Sequence, residues 1–195
     1  MALTNIQDKP IVVGTPIEID LAVNEIRKVI ATLDWISHPY FIAQRFFRSK
    51  NGKQYIFPET YAPEKPGSRG YKRLTPDNDF SGMCFFMVGR SSIDYEPNRE
   101  SFLNYPVSII FVVNLELIDP VKLNNGLFTR ELMSEARRLL TKTQINHDFE
   151  YIIKSETDDL QEVFREFRMK DLLSYNRAPM QTWRVELDVK IEEDC

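Results

Sequence analysis

The chain has 195 residues, 43% of them hydrophobic and 28% charged, with a formal net charge of −4. That is the balance of a globular chain with one sizeable core, and the charge argues against general nucleic-acid affinity. Two His and two Cys argue against metal or thiol chemistry, while thirteen Phe and eight Tyr suit packed β-structure and subunit contacts.

Residues 1–14 read as an extended N-terminal arm. Thr15-Pro16-Ile17-Glu18 then reads as a capping box, with Thr at N-cap, Pro at N1 and Glu at N3. Ile19, Val23, Ile26, Ile30 and Leu33 follow at helical spacing, so a first helix is expected over Thr15–Leu33, ended by His38-Pro39. Phe41 to Phe57 predicts a hairpin about Asn51-Gly52, because both residues tolerate positive φ. Pro58 to Phe80 holds four prolines (Pro58, Pro63, Pro66, Pro76) with Gly67 and Gly70, and predicts an extended loop. Met83–Val88 and Val107–Leu117 read as strands. The second is apolar on both faces, which places it centrally in the sheet. Asp119-Pro120 turns the chain, and Thr129 caps a helix carrying Leu132, Ala136, Leu139 and Leu140. Phe149–Ile153 predicts a strand. Thr157 opens a helix with Leu160, Val163, Phe164 and Phe167 facing inward.

The last element is the most regular. Trp183, Val185, Leu187, Val189 and Ile191 alternate with Arg184, Glu186, Asp188 and Lys190, the pattern of a strand with one buried and one wet face. Consecutive strands in the first half predict an α+β fold. The sheet should be mixed, mainly antiparallel and packed by two to three helices, with a long hairpin and loop arm, all in a single domain over 1–195.

No apolar run reaches the roughly 18 to 20 residues that cross a bilayer. Met1 to Pro10 lacks the basic start and apolar stretch of a signal peptide. Cys84 lies in an apolar run and Cys195 ends the sequence, neither with CxxC spacing. The expectation is a buried free thiol and a solvated tail, in a protein made in a reducing cytoplasm.

Candidate chemistry is sparse. Pro76-Asp77 with Asp188-Val189-Lys190 imitates a metal-dependent nuclease, but Asp188 and Lys190 sit on a strand face where charges are expected anyway. His38 and His147 each lack a second His at ligand spacing. There is no GxxxxGK[ST], GxGxxG or GxSxG sequence. No catalytic residue, cofactor or metal is assigned.

The charge distribution says more. Phe41 to Arg73 carries eight Lys/Arg against two Asp/Glu, whereas Ile145 to Asp171 carries four against eight. A basic segment in an acidic chain suits either nucleic acid or the acidic surface of a second copy. Tyr61, Arg69, Tyr71, Lys72 and Arg73 in the loop, with Arg48, Lys50 and Lys53 in the hairpin, are the candidate protein-interface residues, since Tyr and Arg anchor interfaces.

In element order the chain resembles tailed-bacteriophage head–tail connection proteins of the tail-terminator and neck-ring type. The leading helix is Thr15–Leu33 and the hairpin with its loop is Phe41–Phe80. A central strand around Tyr105–Phe111 precedes helix Thr129–Leu140, and Thr182–Val189 is the terminal strand. Phe149–Phe167 goes beyond a minimal terminator. The resemblance implies a structural, non-enzymatic virion protein that forms a six- or twelvefold ring at the head–tail junction and caps the tail tube or adapts it to the neck. It implies copies of itself and other neck and tail-tube proteins as partners, with DNA free to pass through the ring. The alternative is a cytoplasmic nucleic-acid-processing enzyme or accessory subunit using the basic 41–73 segment. A related interaction module of a mobile-element or secretion apparatus is a third reading.

Overall fold

The computed structural model describes residues 18–50, 52–62, 70–76, 78–94, 102–123, 126–142, 149–172, 175 and 177–192. The described elements run α1 (Ile19–Ile30), β1 (His38–Lys50), β2 (Lys53–Tyr61), β3 (Tyr71–Arg73), β4 (Gly82–Val88), β5 (Ser92–Asp94) and β6 (Phe102–Asn114). They continue with α2 (Leu115–Ile118), α3 (Phe128–Lys142), β7 (Phe149–Thr157), α4 (Leu160–Val163), a 3-10 turn (Met169–Asp171) and β8 (Met180–Glu192). The fold is α+β, with an open, mixed and mostly antiparallel sheet in the order β3-β2-β1-β4-β6-β8-β7, and β5 pairs with β6 beyond β4. Among the described strands only β1 and β4 run parallel.

β6 is the central strand because Ile109 to Val113 is apolar on both faces, and the sheet separates two cores. On the first face α1 and α3 lay Val23, Ile26, Ile30, Leu132, Ala136 and Leu140 over Cys84, Phe111, Trp183 and Val185. Trp183 stacks on Phe111 at 4.8 Å, and Trp35 leans on both rings while its indole N–H donates to Glu135 Oε2 at 2.9 Å. Gly82 lets β4 pass Trp35, for a Cβ there would lie 2.5 Å from the Trp35 carbonyl oxygen. On the second face Val163, Phe164, Phe167, Leu172 and Tyr175 cover Met83, Phe85, Ile110 and Val112. Cys84 is buried and unoxidised, and burial pushes its thiol pKa far up. Cys195 and the N-terminal arm lie outside the described residues.

Several boundaries differ from the sequence reading, each for a local reason. Helix α1 begins at Ile19, and Glu18 is itself the N-cap residue, at φ 44, without a side-chain cap. Its carboxylate instead accepts from the Tyr105 hydroxyl at 2.9 Å, and the predicted Thr15 cap lies outside the described residues. His38 does not end the first region; it opens β1, paired beside Met83. Residues Leu115–Leu117 are not strand but the start of α2, because Asn114 Oδ1 accepts from the Glu116 and Leu117 amides. Thr129 lies inside α3, which starts at Phe128. β7 runs on to Thr157, so the next helix is capped by Asp159, not Thr157, and lasts one turn. Its inward residues are nonetheless the predicted ones, with Val163, Phe164 and Phe167 buried.

The proposed extended loop 58–80 is the largest correction. Its start is the end of β2 and Tyr71–Arg73 is β3, in the register Glu59↔Arg73, Thr60↔Lys72, Tyr61↔Tyr71. Leu74 and Phe80 are buried in the second core. Pro58 escapes its usual role as a strand breaker because its carbonyl faces the Leu74 amide at 2.9 Å. In extended backbone, N and C=O of one residue point the same way, so the missing N–H faces away from β1, where no ladder bond is lost.

Candidate functional site

The hairpin β1–β2 turns between Lys50 and Lys53, which lie opposite each other, with Gly52 at φ 72. β1 pairs with β4 only as far as Ile42, so beyond that point the hairpin projects from the main sheet. Its cross-strand register lines up Gln44, Phe46 and Arg48 with Tyr55, Phe57 and Glu59 on one face, and β3 adds Arg73 and Tyr71 beside them.

Aromatic and cationic groups interleave on that face. Phe46 meets Tyr71 at 4.5 Å between ring centroids, Tyr71 meets Tyr61 edge-on at 5.3 Å, and Tyr55 stacks on Phe57 at 6.0 Å. The Arg73 guanidinium sits 3.1 Å from the Phe57 ring centre and Arg48 lies 5.8 Å from Phe46. Glu59 is the pivot. Its carboxylate is 1% exposed and takes a bidentate pair from Arg48, Nε to Oε1 at 2.8 Å and Nη2 to Oε2 at 2.5 Å. Hydrogen bonds to Glu59 and its charge raise the Arg48 pKa. Partial burial is the larger influence on Arg73 and lowers its pKa.

The structure thus gathers Tyr61, Tyr71, Arg73 and Arg48 from the candidate set, and Lys72 lies near them but turns to the Tyr40 ring at 5.3 Å. Lys53 is apart from them, exposed at the hairpin tip. Lys50 ends β1, but its side chain, like Arg69, lies outside the described residues. Phe46, Tyr55, Phe57 and Glu59 were not anticipated. Their signal is the register itself, which follows from Asn51-Gly52 once the strands are known to continue to Tyr61.

A second polar cluster was also missed. Arg184, placed on the supposedly wet face of β8, is 1% exposed. Its Nε donates to Glu186 Oε1, Nη1 to Glu166 Oε2 and the Val163 carbonyl, and Nη2 to Ser108 Oγ and Glu166 Oε1, at 2.5 to 3.1 Å. All five donors are used. The Ser108 hydroxyl in turn donates a hydrogen bond to Glu186 Oε2, and Arg165 pairs with Glu186 at 2.9 Å. Burial favours the neutral form of Glu166, but hydrogen bonds and charge from Arg184 outweigh it and hold the carboxyl below its ordinary value. This network is closed, and it ties the 160–172 segment to the sheet rather than presenting a reactive group. Ser108, a lone hydroxyl in an apolar run, is the sequence signal that could have exposed it.

Asp188 pairs with Lys154 at 2.9 Å, and Asp77 lies outside the described residues, as does His147. His38 packs its ring against Tyr40 and Phe80. Among the described residues no cluster of His, Cys, Asp or Glu is arranged to hold a metal, and no helix is long and apolar enough to cross a membrane. No protein-family model matches the chain, and no curated protein matches it.

Proposed function

We propose that this chain is a structural, non-enzymatic assembly protein of the phage head–tail connection type, joining copies of itself in a ring and contacting neck and tail-tube proteins through its hairpin. The observation that carries the reading is the projecting face on which Phe46, Tyr61 and Tyr71 stand among Arg48 and Arg73. Large rigid rings with guanidinium neighbours are the side chains that supply most interface energy at low entropic cost. The element order of helix, hairpin, central sheet, packing helix and terminal strand supports the same reading. On it, the protein acts in the virion neck or tail after synthesis in the host cytoplasm, at sixfold or twelvefold symmetry.

Native mass spectrometry and negative-stain imaging of the full chain test this. Closed rings are expected; a monomer at every concentration overturns the reading.

The same rings favour a second reading, because bases stack on exposed aromatics beside cations. That protein would be a nucleic-acid-processing enzyme or accessory subunit using the 41–73 segment. A salt titration against single-stranded DNA separates the two: steeply salt-dependent binding supports the second reading, and its absence the first.

A further inference from the structure

Two strand edges stand open, one on β1 where it leaves β4 and one on β7 at the far end of the sheet, and the first carries an exposed arginine where the second carries an exposed glutamate. β1 has no described partner on its β4 side after Ile42, and it carries the exposed Arg45 there, while Arg48 is held by Glu59. β7 is the last strand at the other end of the sheet, with Glu150 exposed on it. Each edge also exposes one large apolar side chain, Phe47 at 66% and Ile152 at 56%. Long open edges with exposed apolar residues are templates for another strand.

The hydrogen bonds already made fix which backbone groups each edge offers. The Pro58 carbonyl is turned to Leu74 and the Ile56 amide to Asp171, so both point away from β1. Their antiparallel partners, Arg45 and Phe47, must then point away from β2, toward the open side. At the other end, the Pro106 carbonyl accepts from the Gly89 amide, toward the β4 side of β6. Its partner Asp188 therefore points toward β7, and Ile152, opposite Asp188, points back toward β8. The outward groups of β7 belong to Phe149, Tyr151 and Ile153.

A parallel ladder bonds each outward residue to the two that flank its opposite number. Phe47 opposite Ile152 meets that rule, using Tyr151 and Ile153. Arg45 then falls opposite Glu150, using Phe149 and Tyr151. An antiparallel ladder with Phe47 opposite Ile152 fails twice, since Phe47 offers its groups and Ile152 does not, and Arg45 would meet Lys154. This parallel register satisfies backbone, apolar and charge matching together and keeps Arg48 on Glu59, and the β7 bulge after Ile153 ends it.

We propose that copies of this chain join by parallel sheet extension, the open edge of β1 over 44–48 on one copy pairing with the open edge of β7 over 149–153 on the next. The contact uses two different patches and is therefore heterologous, closing into a ring or propagating according to its rotation. It rests on the assembly reading above and names the contact. The hairpin's aromatic face is left free for a neck or tail protein.

A charge-swap series tests it, read by native mass spectrometry and by light scattering, with a thermal melt of each variant to confirm folding. Arg45→Glu and Glu150→Arg should each weaken self-association by on the order of tenfold, and the double variant should restore it. Phe47→Asp should abolish assembly. Hydrogen exchange of the wild-type oligomer should show the Phe47 and Ile153 amides protected relative to the Phe47→Asp monomer. A wild-type chain that stays monomeric overturns the assembly reading itself. An oligomer that withstands the reversals and leaves those amides unprotected overturns the edge pairing alone.

Discussion

The central sheet and the hairpin each set an arginine against a glutamate, but with burial reversed. In the sheet, Arg184 is 1% exposed and its carboxylate partners, Glu166 and Glu186, reach partly into solvent at 24% and 15%. In the hairpin the carboxylate of Glu59 is the buried member and Arg48 stands 56% exposed. A buried cation with every donor satisfied is locked, and the network serves to fasten the 160–172 segment. A buried anion holding an exposed guanidinium does something else: it fixes the direction of a group that still faces outward. The first arrangement is internal architecture; the second is pre-organised for contact.

The sharpest way to break this contrast is to remove each pivot. Arg184→Met leaves Glu166 and Glu186 facing a weakly solvated pocket. It should destabilise the protein by about 3–5 kcal/mol, measured by urea denaturation. Replacing all three side chains together by Met should recover most of that loss, because well-packed apolar groups replace buried ion pairs at little net cost. A full-sized loss in the triple variant would mean that the network does more than fasten.

Glu59→Gln is the hairpin counterpart. It keeps the shape and removes the charge that holds Arg48, so the expected cost is about 1–3 kcal/mol. The loss should appear as faster hydrogen exchange confined to β1, β2 and β3, with the β6–β8 amides unchanged. Exchange accelerating across the whole sheet would show that the two regions are one cooperative unit.

Acid gives the smallest effect. The folded Glu166 carboxyl titrates below its unfolded value, so its contribution to stability is complete above about pH 4.3. It is lost as pH falls further, through the folded value, because the unfolded chain takes the proton first. Urea midpoints from about pH 6 down to about pH 2.5 should therefore decline, and Glu166→Gln should flatten part of that decline. An identical slope in the variant would remove Glu166 from the acid response.

Much of the frame was legible from residue order. Asn51-Gly52 announced the hairpin, the unbroken apolar run of β6 placed it centrally, and the alternation of Trp183 to Ile191 picked the face of β8 that packs on α1 and α3. Prolines misled, because Pro58 reads as a strand breaker until its missing N–H is seen to face away from β1, on the side of Leu74.

Period and turn chemistry are local properties, so the amino-acid order alone could determine which segments are strands, which are helices and which face of each is apolar. It could not determine that the 160–172 segment lies over the second face of the sheet, turning Arg184 from a solvated residue into the centre of a buried network. Nor could it show that Tyr61, Tyr71 and Phe46 meet, or that the edges of β1 and β7 stand open with opposite charge. Those facts depend on which distant elements become neighbours, and burial, charge pairing and edge exposure are properties of neighbours in space rather than in sequence.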